Sequence, residues 1–162
     1  MNAIELLKQQ HDEVKKLFAQ YGKLPDHADV RRGELFKMIA DRLAAHATIE
    51  ELYFYPATKS ERTEDELREA VEEHLSAKRI IADLLEMSPD DEEFDPKMKV
   101  LEEQIEHHVK EEEGELFKKV RKLLSKEQLE DLGILMEQQF EELMEDEPRN
   151  NVPAETDHAA PL

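Results

Sequence analysis

FKMIADRLAAHATIEELYF, residues 36–54, places Phe36, Ile39, Leu43 and Phe54 on one face of a helix at 3.6 residues per turn, and His46 and Glu50 fall in the same stripe. A second stretch, residues 98–124, behaves alike. Met98, Leu101, Ile105, Leu116 and Leu123 form its apolar face, and His108 and Glu112 share it, whereas His107 points to the opposite side. Both pairs read His-x-x-x-Glu, one helical turn apart and within reach of a single ion. Buried carboxylates cost several kcal/mol each unless a cation or hydrogen bonds offset the burial. No inward arginine stands near either, so metal is the simplest compensation.

Elsewhere in the chain, two more inward histidines appear. His11 shares a stripe with Ile4, Leu7, Val14 and Phe18, and His74 one with Leu67, Val71, Ile81 and Leu85. His11 and His46 are 35 residues apart and His74 and His108 are 34 apart, the spacing of a pseudo-repeat of two helix pairs. The remaining histidines, His27 in a polar loop, His107 and His158 near the C-terminus, read as surface residues.

The rest of the chain supports an all-α fold. Only four glycines interrupt a sequence of 162 residues dominated by helix formers. Asn2 with Glu5 caps a first helix that ends near Gly22. A second runs from about Asp29 to Thr58. Thr63-Glu64-Asp65-Glu66 reads as a capping box for a third, to about Met87, and Asp95-Pro96 as the cap and first turn of a fourth, to about Leu124. Ser125-Lys126-Glu127-Gln128 opens a fifth, amphipathic helix over 125–146, whose Leu129, Leu132, Met136, Phe140 and Leu143 pack on the bundle or on a partner subunit. Residues 147–162 hold three prolines and little apolar content, and are expected to be a disordered tail.

Composition narrows the function. No cysteine is present, which removes thiolate zinc sites, iron–sulfur clusters and disulfides. The net charge of −19, from 41 acidic and 22 basic residues, repels phosphate backbones and anionic lipid, so neither nucleic acid nor membrane is an expected partner. No signal peptide or membrane span is legible, and a cytoplasmic location is expected. Imidazole and carboxylate donors without thiolate suit iron, manganese or zinc.

The order H…HxxxE…H…HxxxE, carried here by His11, His46–Glu50, His74 and His108–Glu112 and followed by HATIEELYFYP (46–56) and HVKEEEGELF (108–117), resembles the haemerythrin-like family, the haemerythrin HHE cation-binding domain. The resemblance covers residues 1–124. It implies an up-down-up-down four-helix bundle, and two iron ions with an oxo or hydroxo bridge. His11, His46, His74 and His108 would be terminal ligands, and Glu50 and Glu112 bridging carboxylates. One position departs from the family's oxygen carriers, which have a second histidine four residues after the one on the third helix: here that position is Lys78. The ammonium either turns outward or hydrogen-bonds a carboxylate near the centre, leaving a coordination position open. Tyr53, a turn after Glu50, is a candidate extra ligand or hydrogen donor, or else an aromatic core residue.

The expected function is redox handling of hydrogen peroxide, O2 or nitric oxide in oxidative or nitrosative stress, as a catalase-like or peroxidase-like diiron protein. The alternatives are reversible O2 binding, storage or sensing without turnover, and a purely structural metal. A monomer or homodimer is expected.

Overall fold

A computed structural model describes residues 1–162, and every element is helical. Helix α1 spans Ala3–Gly22 and starts as its sequence predicts: the Asn2 side chain accepts from the Glu5 backbone while the Glu5 carboxylate accepts from the Asn2 N–H. The second bundle helix is α2, Asp29–Ile49, then a π-helical turn over Glu50–Phe54, then α3, Tyr55–Thr58. Helix α4 spans Glu64–Leu85. The fourth repeats the interruption, with α5, Phe94–Glu111, a π turn over Glu112–Leu116, and α6, Phe117–Leu123. Helix α7, Lys126–Glu145, carries the Ser125–Gln128 capping box in full.

Two expected caps are not made. The Thr63 hydroxyl donates to the Thr58 carbonyl and accepts from the Ser60 N–H, so it ties down the preceding turn instead of capping α4. Asp95 lies inside α5, where it accepts from the Tyr21 hydroxyl and pairs with Arg32, a tertiary use that outweighs capping.

The core is in two parts. One cluster gathers Leu17, Phe36, Ile39, Ile81, Phe94 and Leu101; the other gathers Ile4, Leu7, Phe54, Leu67, Phe117 and Met136. His11, His46, His74 and His108 occupy the layer between, because on each helix they lie between the residues given to the two clusters. Since each helix enters the second cluster from the opposite direction to its predecessor, the bundle runs up-down-up-down. Helix α7 packs its Leu129–Met136 face on this second cluster, within the same chain. Its Gly133 is obligatory: a Cβ there would lie 2.4 Å from the Met1 carbonyl oxygen and 2.7 Å from the Ala3 nitrogen, both backbone atoms that cannot give way.

The C-terminal segment is not a disordered tail. Pro148–Glu155 forms a 3-10 helix laid along α2 and α4. Arg149 pairs with Asp41 at 2.8 Å, Arg79 donates to the Thr156 and Asp157 carbonyls, and Val152 is buried in the first cluster. Low apolar content is offset by placement: Val152 is buried in the first cluster, Ala159, Ala160 and Leu162 pack on the second, and ion pairs reach specific partners. No helix is long and apolar enough to cross a membrane.

Candidate metal centre

Each of the four bundle helices delivers one histidine to the layer between the cores, and the two π turns begin at the two glutamates. All six side chains are buried, Glu50 completely. His46 Nε2 and His74 Nε2 approach Glu50 Oε1 at 3.1 and 3.3 Å; His11 Nε2 lies 3.2 Å from Glu112 Oε1 and His108 Nε2 3.1 Å from Glu112 Oε2. The donors form two groups of three, His11–His46–Glu112 and Glu50–His74–His108, each with its atoms within 4.8 Å of one another. Each His-x-x-x-Glu motif therefore divides its members between the groups, instead of directing both to one ion. Each carboxylate also touches a histidine of the other group, which is what a residue shared by two cations requires.

The donor atoms fit cations. His11 Nε2, His46 Nε2, both Glu50 oxygens and Glu112 Oε1 are buried without a hydrogen-bond partner, although they face one another at little over 3 Å. Such orphaned lone pairs would be costly in a purely polar network. The opposite ring nitrogens are all engaged at 2.7 Å: His11 Nδ1 with Glu113, His46 Nδ1 with Gln10, His74 Nδ1 with Glu51 and His108 Nδ1 with Glu73. An acceptor on Nδ1 fixes the tautomer with the Nε2 lone pair directed inward, an arrangement typical of metal-ligating histidine. These four acceptors went unnoticed in the sequence. Each is the immediate neighbour of a candidate ligand, which is the signal that could have found them.

Without a cation, the carboxylates act on the imidazoles. Burial lowers the His11 pKa, but Glu112 and Glu113 outweigh it and lift the value to about 9. His74 and His108 are raised too, against burial, by Glu50 with Glu51 and by Glu112 with Glu73. Glu112 is held well below the usual carboxylate range: burial would raise it, but His108 and His11 prevail.

Tyr53 is not at the centre. Its hydroxyl donates to Gln139 of α7 at 3.1 Å. The fully buried Tyr55 takes the inward place, donating to Glu112 Oε2 at 2.8 Å with His74 Nε2 3.3 Å away. The cause is the π turn: the Tyr55 N–H bonds the Glu50 carbonyl, five residues back, and the extra residue rotates the downstream side chains by about 100° relative to an unbroken α-helix. The same shift in the fourth helix puts Phe117, five after Glu112, parallel to the His11 ring at 6.2 Å. Burial and the Glu112 charge push the Tyr55 phenol well above its ordinary value, so it keeps its proton.

Lys78 hydrogen-bonds Glu51 at 3.0 and 3.1 Å and pairs with Glu155 at 3.0 Å. Burial lowers its pKa, but these two carboxylates win and raise it, so the ammonium is a charged link between the His74 acceptor and the C-terminal segment, not a ligand. His107 points outward, its side chain 62% exposed, while His27 and His158 are exposed on the surface. Beside the centre, Val14, Leu43, Ala47, Ala77, Ile81 and Val109 wall a cavity of about 40 Å³.

The family model for the hemerythrin HHE cation binding domain matches residues 2–120. The chain is 32% identical over 130 residues to a DNA nickase of Nostoc sp. (strain PCC 7120 / SAG 25.82 / UTEX 2576), the match covering 80% of this chain and 36% of that protein. It thus spans little more than a third of that relative's length. Its fold is similar to the crystal structure of a hemerythrin HHE cation binding domain-containing protein from Mycobacterium kansasii, the Rv2633c homolog, with a TM-score of 0.77, 24% identity, and coverage of 90% of this chain and 88% of that one. Sequence order, bundle and family match agree: this chain belongs to the hemerythrin HHE cation-binding domain family and is a metal-binding protein.

Proposed function

We propose that the chain is a non-haem diiron protein that turns over small oxidants, hydrogen peroxide first, with O2 and nitric oxide as the other ligands of the same centre. His11, His46 and Glu112 would hold one iron and His74, His108 and Glu50 the other, each carboxylate reaching both. Such a pair of ions supplies two-electron redox chemistry, enough to disproportionate two peroxides into O2 and two waters. The observation that carries the reading is the convergence of four inward imidazole nitrogens with the unpartnered Glu50 carboxylate and Glu112 Oε1, beside a cavity, lined by the four histidines, that is no larger than a few water molecules. Such a space admits a molecule of two to four atoms and excludes organic substrates.

The chain's own groups support turnover over storage. Tyr55 holds a proton within hydrogen-bond distance of Glu112 and His74, where breaking an O–O bond requires one. Lys78 is occupied by Glu51 and Glu155, so it fills no coordination position, and apolar side chains bound the space beside the centre. These apolar walls are also what would protect a reversible O2 adduct, which is the alternative reading. The activity named for the Nostoc protein is not carried over, since most of that protein lies outside the match and this chain's charge of −19 opposes DNA.

The test is metal analysis with an optical spectrum of aerobic protein, before and after peroxide. Two irons per chain, near-ultraviolet charge-transfer bands and many turnovers of O2 release are expected. A single zinc per chain would remove the diiron reading; a long-lived reversible O2 adduct without peroxide turnover would replace the enzyme by the binding protein.

A further inference from the structure

The pseudo-two-fold that relates His11 to His74 and His46 to His108 also relates the groove between α2 and α4 to the groove between α5 and α1. The two grooves are treated differently. Into the first, the C-terminal segment inserts Val152, only 2% exposed, which completes the wall of the central cavity between Ala44 and Ala47 of α2 and Ala77 and Ile81 of α4. Ion pairs hold it at both ends, Arg149 to Asp41 and Glu155 to Lys78. The second groove has no such filler and holds a depression of about 150 Å³. Val14, Ile105, Val109 and His11 line both this depression and the central cavity, so the two spaces share one wall, three of whose members are apolar.

We propose that small molecules reach the centre from the α1/α5 groove, through a gate formed by Val14, Ile105 and Val109, while the C-terminal segment permanently closes the equivalent α2/α4 route. The gate passes uncharged molecules. Ile105 and Val109 are half-buried side chains that border the outer depression, whereas Val152 is wedged in the core and tethered. Asp12, Glu102, Glu106 and Glu113 around the outer depression, against one Lys15, repel anions before they reach the apolar wall. The route thus selects neutral molecules of a few atoms, such as peroxide, O2 and nitric oxide, over azide or superoxide. The identity of the passing molecule rests on the proposed function; that something uncharged passes does not.

Xenon is a neutral probe that needs no metal. Its exchange with the full-length protein, metal-free and iron-loaded, can be followed by xenon NMR in wild type and in Val109→Phe, Val109→Ala, Val152→Gly and the Val109→Phe/Val152→Gly double variant. Filling the gate with Val109→Phe should slow exchange about tenfold, and Val109→Ala should speed it by a similar factor. Val152→Gly should open the second route and restore fast exchange to the double variant. In iron-loaded protein, optical association of nitric oxide should follow the same order and outpace azide. Exchange unchanged in both Val109 variants would overturn the route, and so would a double variant as slow as Val109→Phe alone. Absence of any nitric oxide or peroxide reaction in loaded wild type, with the xenon order intact, would sink the redox reading and leave the route standing.

Discussion

Replacing Glu50 by glutamine separates a metal bridge from a structural polar residue by the sign of its effect. Glu50 is completely buried and neither of its oxygens is hydrogen-bonded. In metal-free protein its charge is offset only by nearby imidazoles. Once the carboxylate is gone, Glu51 is left to oppose the burial that lowers the His74 pKa, so the ring sheds its proton more readily and escapes part of the penalty. Replacing a poorly compensated buried ion by a neutral group of the same shape is worth about 1–3 kcal/mol. For a chain of this size that is a rise of roughly 3–8 °C in the Tm of metal-free protein. Loaded protein should move the other way. Loss of one shared ligand weakens metal binding at least 10–100-fold, by analogy with outer-partner losses, so about 1.4–2.7 kcal/mol of metal-induced stabilisation disappears. Calorimetry or circular-dichroism melts at pH 8, with and without excess ferrous iron under anaerobic conditions, measure both. A variant less stable than wild type in both states would refute the reasoning, because Glu50 would then be holding the bundle together without metal.

His108→Ala should lose metal and lower the Tm of loaded protein by several degrees, whereas His107→Ala should alter neither; equal damage, read from metal content, would contradict the orientation of the two rings. Tyr55→Phe should slow peroxide turnover about 10²-fold or more at equal iron content, while Tyr53→Phe should leave it within a factor of about two, with steady-state oxygen release as the assay. The pH dependence should also change sign on loading. The His11 pKa is about 9 in the folded, metal-free chain, against 6.5 when unfolded, so its stabilising contribution is complete below pH 6.5 and lost as pH rises to 9; His74 and His108 act in the same direction. Metal requires the deprotonated rings, so affinity should rise over the same window with proton release. Urea melts of metal-free protein at pH 6 and 9, and proton uptake measured during loading, test the two halves.

The bundle and the six candidate donors were legible because both rest on α-periodicity: His46 and Glu50 reveal themselves only by sharing a stripe with Ile39 and Leu43. The same periodicity misplaced the tyrosine. A π turn shifts the face by one residue, and nothing in the 3.6 pattern signals it, so Tyr53, which packs as an aromatic on the second cluster, reads as a candidate for the inward place that Tyr55 holds. Comparison of the two motifs would have exposed it, since an aromatic residue stands five positions after each glutamate, Tyr55 and Phe117. The C-terminal segment misled through composition: one valine in the right groove and charges matched to Asp41 and Lys78 order a stretch that its average polarity marks as loose. Position, not content, decided it.

The polar layer between the two apolar clusters divides the molecule mechanically. Each cluster draws residues from all four bundle helices, but α7 reinforces only the second and Pro148–Glu155 only the first. When the middle layer is a set of buried acids and rings with unpartnered atoms, the halves are coupled chiefly by the helix backbones that cross it, and at two of those crossings the backbone has a π turn in place of regular α hydrogen bonding. Amide exchange in metal-free protein should therefore proceed by partial opening of one half at a time, with protection dropping at the π turns first. Metal held by donors from all four helices would join the halves into a single cooperative unit. It would then set the size of the folding unit as well as the chemistry of the centre.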